Sequence, residues 1–236
     1  MLVSPRNPLN IGAAARAMAN FGFTQLAVVA PYAPNWREAR SAVGAPELLQ
    51  SAQQTATLAE ALADCTLVVG TGTQAHRRPE QPVADLPRLA PLVRRHLDRG
   101  GRVALVFGPE KRGLTREDLS YCHLLAEIPT SSHQPSMNLG QAVAVCLYEL
   151  ASRVFDSRES AAAQAAEAGQ AASAARLELV AEVVEQAMAA AGYSPAAMRE
   201  ANRHDLRLLL RRLTLTEADA RRVLGLFRRI VWRLKH

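Results

Sequence analysis

Three stretches of the sequence combine polar and small residues in patterns that could bind a ligand. The first, NIGAAARAMANFGF (10–23), carries Asn10 and Arg16 near the start of a helical pattern. The second, GPEKRGLT (108–115), is a loop with two glycines, and the third, IPTSSHQPSMNLGQAVAVCLYEL (128–150), is a polar loop that runs into a helical pattern. A helix N-terminus has free backbone N–H groups, and a loop before it can wrap a ligand. These patterns predict ligand binding without identifying the ligand.

Several common enzyme motifs are not matched. Gly108 and Gly113 are spaced as in a phosphate-binding P-loop, but Leu114 occupies the place of the lysine before Thr115, which disfavours an NTPase. No GxGxxG opens the first helical pattern and no GxSxG elbow is present, which disfavours a dinucleotide-binding protein and a serine hydrolase. His133 lies in the polar loop, where a histidine is more often solvated than catalytic.

The elements that would position these loops are alternating strands and helices. Apolar, β-branched runs lie at 26–30, 66–70, 103–107 and 124–128, with helical patterns at 11–22, 58–64 and 86–97. Nearly continuous apolar strands alternating with helices predict an α/β fold with a parallel sheet covered on both faces. Open parallel sheets bind ligands at the carboxyl ends of their strands, where the loops after these strands begin.

Composition places limits on the kind of protein. The chain has 236 residues, 49% of them hydrophobic, which is ample for one sizeable core and an appendage. Cys65, Cys122 and Cys146 are widely spaced, so neither a disulfide framework nor a metal cluster is indicated. No apolar run is long enough for a bilayer and no signal pattern opens the chain. We therefore expect a cytoplasmic protein without a metal.

Charge and composition divide the chain into three parts. We expect an α/β domain over 1–156, an Ala-rich linker over 157–175 and a basic helical extension over 176–236. Residues 199–236 hold eleven basic and four acidic residues, a net charge of +7, which leaves −1 for the rest. This asymmetry indicates a polyanionic partner such as nucleic acid, or alternatively an ordinary solvated arginine-rich helix face.

The three stretches resemble, in order and spacing, the three motifs of the SpoU branch of the SPOUT RNA methyltransferases. With the basic helical extension, the resemblance is closest to the TrmJ-type tRNA 2′-O-ribose methyltransferases. It implies a parallel sheet whose C-terminal part forms a trefoil knot, an exception to the usual absence of knots. It also implies a homodimer whose active sites use both subunits, and S-adenosylmethionine (AdoMet) bound in the loops of the knot.

The resemblance assigns site residues by position. The cofactor-binding residues it implies are Thr71, Gly72, Thr73, Gly108, Glu110, Ile128, Pro135, Ser136 and Met137. The catalytic residues it implies are Asn10, Arg16, Ser136 and Asn138. Free arginine stays protonated, so Arg16 would either act as a base with a strongly lowered pKa or orient the hydroxyl; an interface salt bridge is the structural alternative. For Asn138 the alternative to a catalytic role is a helix cap.

The RNA contacts expected are Arg77, Arg78, Arg211 and Arg212, although the first two could equally belong to an ordinary surface loop. The function that follows is AdoMet-dependent methyl transfer to a ribose 2′-hydroxyl in the tRNA anticodon loop, at nucleotide 32. Two alternatives remain: the same reaction on ribosomal RNA, and a noncatalytic knotted RNA-binding protein.

Overall fold

A computed structural model describes residues 1–72, 79–154 and 170–235. The described chain forms seven strands: β1 Leu2–Val3, β2 Ala27–Val29, β3 Gln53–Thr55, β4 Leu67–Thr71, β5 Val83–Asp85, β6 Val103–Val106 and β7 Leu124–Glu127. Its α-helices are α1 Pro8–Asn20, α2 Pro46–Gln50, α3 Leu58–Leu62, α4 Leu86–Asp98, α5 Arg116–Ser120, α6 Leu139–Val154, α7 Ala174–Ala190, α8 Arg199–Arg212 and α9 Glu217–Lys235. None of the helices in these ranges is both long and apolar enough to cross a bilayer.

The strands form one parallel array. The orders are β1-β2-β3 in one sheet and β5-β7-β4-β6 in the other, and every pair is parallel. The two sheets meet where Val3 N donates to Phe107 O at 2.8 Å and Phe107 N donates to Met1 O at 2.9 Å. The spatial order is therefore β3-β2-β1-β6-β4-β7-β5, and the carboxyl ends of all seven strands face the same edge.

The sheet is buried on both faces, as the apolar strand sequences predict. In β4, Leu67 and Val69 belong to the core under α1, α4 and α6, while Val68 belongs to the core on the opposite face. Both cores need apolar side chains from the same strand, which explains the nearly continuous runs. The predicted α/β fold with a parallel sheet is confirmed.

Three strands lie outside the four apolar runs of the sequence analysis, namely β1, which contains only Leu2 and Val3, and the edge strands β3 and β5, and one boundary also differs. β3 has the sequence QQT and β5 the sequence VAD, and both are mostly exposed strands at the outer edges of the array. Neither therefore contains an apolar run from which a strand could be predicted. α7 begins at Ala174, inside the range 157–175 expected to be a linker. Ala174 N donates to Cys65 O at 2.8 Å, so the chain is packed against the α/β unit at this point.

The last three helices form a separate small core. Leu177 and Val180 of α7, Leu210 of α8 and Leu224 of α9 are buried together. Thr216 caps α9, because its hydroxyl accepts from Asp219 N at 3.1 Å. This extension packs on the α/β unit through α3 and α5.

Candidate active site

Three loops at the carboxyl edge of the sheet enclose a cleft of about 240 Å³. They follow β4, β6 and β7, the three strands that lie side by side near the centre of the array. The lining residues are Thr71, Gly72, Phe107, Gly108, Pro109, Glu110, Lys111, Arg112, Gly113, Leu114, Ile128, Thr130, Pro135, Ser136, Met137, Leu139 and Ala142. The structure thus brings together all the cofactor-binding residues proposed from sequence except Thr73, which lies outside the described residues.

The loop after β6 is folded tightly on itself. A Cβ atom on Gly108 would lie 2.3 Å from both Gly113 C and Leu114 N, so only glycine fits there. The close approach is thus within the loop itself. Leu114 is 1% exposed and packs into the core. A P-loop lysine at this position would point into the core, so the structure agrees with the sequence argument against an NTPase.

Glu110 joins the first two sequence motifs. Its carboxylate accepts hydrogen bonds from Arg6 N at 3.1 Å, Asn7 N at 3.0 Å and Asn10 Nδ2 at 2.9 Å. Partial burial would raise the pKa of Glu110, but the bonds from Asn10, Asn7 and Arg6 outweigh it and hold the pKa below the ordinary 4.5. Glu110 is therefore an ionised side chain that fixes the start of α1 at the edge of the cleft.

Asn138 joins the third motif to the same network and also caps α6. Its Nδ2 donates to Asn10 Oδ1 at 2.9 Å, while its Oδ1 accepts from Gly140 N at 2.9 Å. The two alternatives raised for Asn138 are therefore compatible, since one amide side chain can do both. Ser136 lines the cleft, whereas Asn10 and Asn138 do not line it but are joined to Glu110 by the hydrogen bond from Asn10.

Arg16 does not line the cleft of its own chain. It lies on α1 with its side chain exposed, on the face opposite Ile11, Ala15 and Met18, which are buried. Within the described residues its guanidinium has no hydrogen-bond or ion-pair partner. One chain alone thus leaves Arg16 away from the residues it was expected to assist.

The arginines expected to contact RNA have different positions. Arg77 and Arg78 lie outside the described residues. Arg211 is 1% exposed: its Nε donates to Tyr121 O at 3.0 Å and its Nη2 to Glu178 at 2.9 Å. The expectation for Arg211 is incompatible with this burial, because a side chain that anchors α8 inside the protein cannot contact RNA. Arg212, the next residue, is exposed.

Sequence reasoning missed several residues of the site. Arg6 and Asn7 supply two of the backbone N–H groups that bind Glu110, and Lys111 and Arg112 line the cleft. Backbone donors leave no signature of residue type, so only their position before the first helical pattern could have suggested them. The two basic side chains were visible in GPEKRGLT, but the failed P-loop comparison gave them no role.

Thiol and metal chemistry have little support among the described residues. All three cysteines are buried and reduced, and burial raises the pKa of both Cys122 and Cys146 to about 12. Glu80, His204 and Asp205 bring three possible ligand atoms within 4.8 Å of one another, but none of them lines the cleft. Glu80 is moreover paired with Arg116 at 2.9 Å.

Sequence comparison identifies the class of protein to which this fold and cleft belong. The model of the SpoU rRNA Methylase family matches residues 1–148, and the chain belongs to that family. The TrmJ of Pseudomonas aeruginosa, a tRNA (cytidine/uridine/adenosine-2′-O-)-methyltransferase, is 42% identical over 151 residues, 64% of this chain and 58% of the relative. The TrmJ of Methanocaldococcus jannaschii, a tRNA (cytidine-2′-O-)-methyltransferase, is 40% identical over 152 residues, 64% of this chain and 65% of the relative.

Structural comparison extends the similarity to the helical extension. The crystal structure of TrmJ from Z. mobilis ZM4 matches with a TM-score of 0.83 and 29% identity, covering 97% of this chain and 96% of that one. The chain spans only 58 to 65% of the length of the two curated relatives.

Proposed function

We propose that this protein transfers a methyl group from AdoMet to a ribose 2′-hydroxyl of tRNA, at nucleotide 32 of the anticodon loop, in the cytoplasm. The observation that carries the proposal is the cleft, which unites the residues of the loops after β4, β6 and β7 in a member of the SpoU family. The names of the TrmJ relatives support tRNA as the substrate.

The side chains and backbone groups that line the cleft are chemically suited to AdoMet. Phe107, Ile128 and Met137 provide apolar surface that suits a neutral adenine, while the backbone at Gly72 and Gly108 offers polar groups. The ionised Glu110 and the basic Lys111 and Arg112 all line the cleft, so charges of both signs are available to the amino and carboxylate groups of AdoMet. When bound, AdoMet supplies an electrophilic methyl group on a sulfonium sulfur.

The described chain supplies orientation for the attacking hydroxyl. Ser136 stands in the cleft, and the network of Glu110, Asn10 and Asn138 holds the start of α1 and the start of α6 in one geometry. Correct positioning of two reactants can supply roughly 7–11 kcal/mol of barrier lowering. Strong basicity is therefore not required of the protein for direct transfer.

We propose that Arg16 acts in the cleft of a second copy of the chain. It is exposed, unpaired among the described residues and outside its own cleft, as a residue shared across an interface would be. Leu9 of α1 and Tyr148 of α6 are 55% and 59% exposed, which offers apolar surface for a homodimer. There Arg16 would hold the hydroxyl or the neighbouring phosphate with its permanent charge.

The trefoil knot implied by the resemblance is also part of the proposal. β7 lies between β4 and β5 in the sheet, although β5 and β6 precede it in the chain. The chain after β7 then continues into α6, which packs against α1 and α4. A strand that lies between two strands formed earlier in the chain, and then continues into the layer of helices, is consistent with threading.

RNA binding is assigned to the exposed arginines of the extension. Arg212 and the outward residues Arg221, Arg228 and Arg233 of α9 are exposed, whereas Arg203 and Arg207 form ion pairs with Glu185 and Glu178. Exposed arginines can bind phosphates, and each such contact steepens the salt dependence of binding. Arg211 is excluded from this surface by its burial.

The decisive experiment is transfer of labelled methyl from AdoMet to unmodified tRNA, with ribosomal RNA beside it, followed by mapping of the modified nucleotide. We expect a 2′-O-methyl group at nucleotide 32. Label in ribosomal RNA alone would keep the reaction and overturn the tRNA assignment. AdoMet binding without transfer to either RNA would indicate a different RNA substrate or a requirement for prior modification, whereas absence of AdoMet binding would favour the noncatalytic alternative.

A further inference from the structure

An aromatic ring and a guanidinium lie together on the surface beside the cleft. Arg6 follows β1 and Tyr32 follows β2, so both lie at the carboxyl edge of the sheet. Arg6 Cζ is 5.2 Å from the centroid of the Tyr32 ring, and Tyr32 N donates to Pro5 O at 3.1 Å. The ring is 74% exposed although it is held by both contacts. Most of the Tyr32 surface is thus open to solvent.

The backbone before each of these residues has an uncommon conformation. Ser4 has φ of 44° and Ala30 has φ of 42°, in the left-handed region that residues other than glycine rarely adopt. Ser4 follows β1 directly and lies two residues before Arg6, and Ala30 follows β2 directly and lies two residues before Tyr32. Their amides donate into the sheet, Ser4 N to Val29 O at 2.8 Å and Ala30 N to Thr55 O at 2.9 Å. Strain of this kind is concentrated at functional sites.

The pair is joined directly to the site. Arg6 N donates to Glu110 Oε2 at 3.1 Å, and Glu110 Oε1 accepts from Asn10 Nδ2 at 2.9 Å. Glu110 lines the cleft, so Arg6 connects the Tyr32 ring to a residue of the cleft through its own backbone. The Arg6 guanidinium forms no ion pair within residues 1–72, 79–154 and 170–235. Its charge is therefore available to an anion.

We propose that Tyr32 and Arg6 form a platform on which one base of the RNA loop, flanking the methylated ribose, stacks. Unpaired bases of RNA loops are recognised by stacking on aromatic rings and on arginine guanidinium planes. Arg6 holds the ring by a cation–π contact and offers its charge to the adjacent phosphate. Stacking tolerates any base, so the platform positions the loop without selecting its sequence. This inference rests on the proposed function and adds positioning residues to the same site.

The test compares the wild-type protein with Tyr32→Ala and, as the matched control, Tyr32→Phe, which keeps the ring. Steady-state methyl transfer is measured on an anticodon stem-loop and on a series in which each loop base is removed in turn. We expect Tyr32→Ala to raise KM for RNA about tenfold or more, with KM for AdoMet unchanged and Tyr32→Phe close to wild type. Removal of the base at one loop position should raise KM for RNA in the wild-type protein. The same removal should cause no further rise in Tyr32→Ala.

The other outcomes count against the inference. Equal KM for RNA in Tyr32→Ala and wild type, or losses that add at every abasic position, would overturn it. A change of oligomeric state in Tyr32→Ala would assign the ring to an interface instead. Absence of methyl transfer by the wild-type protein would contradict the proposed function. Binding of the labelled stem-loop, measured by fluorescence anisotropy, would then test the platform separately, and equal affinity of the wild-type protein and Tyr32→Ala would overturn it.

Discussion

At the scale of single residues, Glu110 has the most connections in the site. One carboxylate receives two backbone N–H groups and the Asn10 amide, and thereby ties GPEKRGLT to the loop before α1. Hydrogen bonds to a charged group contribute about 1.5–3 kcal/mol each, which makes this ion a stabilising element as well as a cleft residue. The pKa of Glu110 lies below 4.5 because these bonds outweigh the effect of burial.

We predict that Glu110→Gln lowers the free energy of unfolding by about 1–3 kcal/mol near neutral pH, because the amide can accept fewer of the three hydrogen bonds. A depressed folded-state pKa contributes stability above the ordinary value of 4.5 and loses it as pH falls through the folded value. The gap between the two proteins in urea unfolding should therefore shrink in acid. A gap that is constant with pH would show that the charge is unimportant.

At the scale of elements, Asn138 at the start of α6 has two functions, capping the helix and binding Asn10. Its Oδ1 caps the helix at Gly140 N and its Nδ2 donates to Asn10. The aspartate variant separates these functions, because a carboxylate still accepts from the helix but no longer donates. Asn138→Asp should keep the helix cap, lose the bond to Asn10 and lose methyl transfer, whereas Asn138→Ala should also lose the cap, at a cost of about 1 kcal/mol of stability. Full activity in Asn138→Asp would leave Asn138 with the capping role alone.

At the scale of the whole molecule, adjacent arginines of α8 have opposite roles. Arg211 is buried against Tyr121 O and Glu178, so Arg211→Met should destabilise the protein by about 3 kcal/mol. Arg212 is exposed, so Arg212→Met should change stability by less than about 0.5 kcal/mol and reduce the salt slope of tRNA binding by about 1. Denaturant midpoints and binding titrations at several salt concentrations measure both. A reversed pattern would contradict the assignment of both residues.

The proposed sharing of sites between two copies predicts complementation. A Cβ atom on Gly72 meets no atom of the described residues within 4 Å, and Gly72 lines the cleft, so Gly72→Leu should block AdoMet while preserving the fold. Arg16→Ala should retain AdoMet binding and lose transfer. When the two variants are mixed and exchange subunits, one of the two sites in a mixed dimer is intact, and activity should return. Continued inactivity of a verified mixed dimer would place Arg16 in its own chain's site.

Apolar periodicity records which side chains face a core. The sequence therefore predicted four of the strands, including the ends of β4, β6 and β7, and the buried face of α6. Leu139, Val143, Cys146, Leu147 and Leu150 recur at helical spacing in the sequence, and all five are buried. β3 and β5 could not be read in this way, because short edge strands bury too few side chains. The cleft residues were identified because the three motifs keep their order and spacing.

The sequence by itself determined the α/β fold, the loops of the site and the basic character of the extension, since these depend on residue type and spacing along the chain. Only the tertiary structure decided the use of each polar group. It buried Arg211, left Arg212 exposed and joined Glu110 to Arg6 and Asn10, which precede it by 104 and 100 residues. The physical reason is that burial and hydrogen bonding depend on neighbours in space, and identical arginines one position apart on a helix face different surroundings.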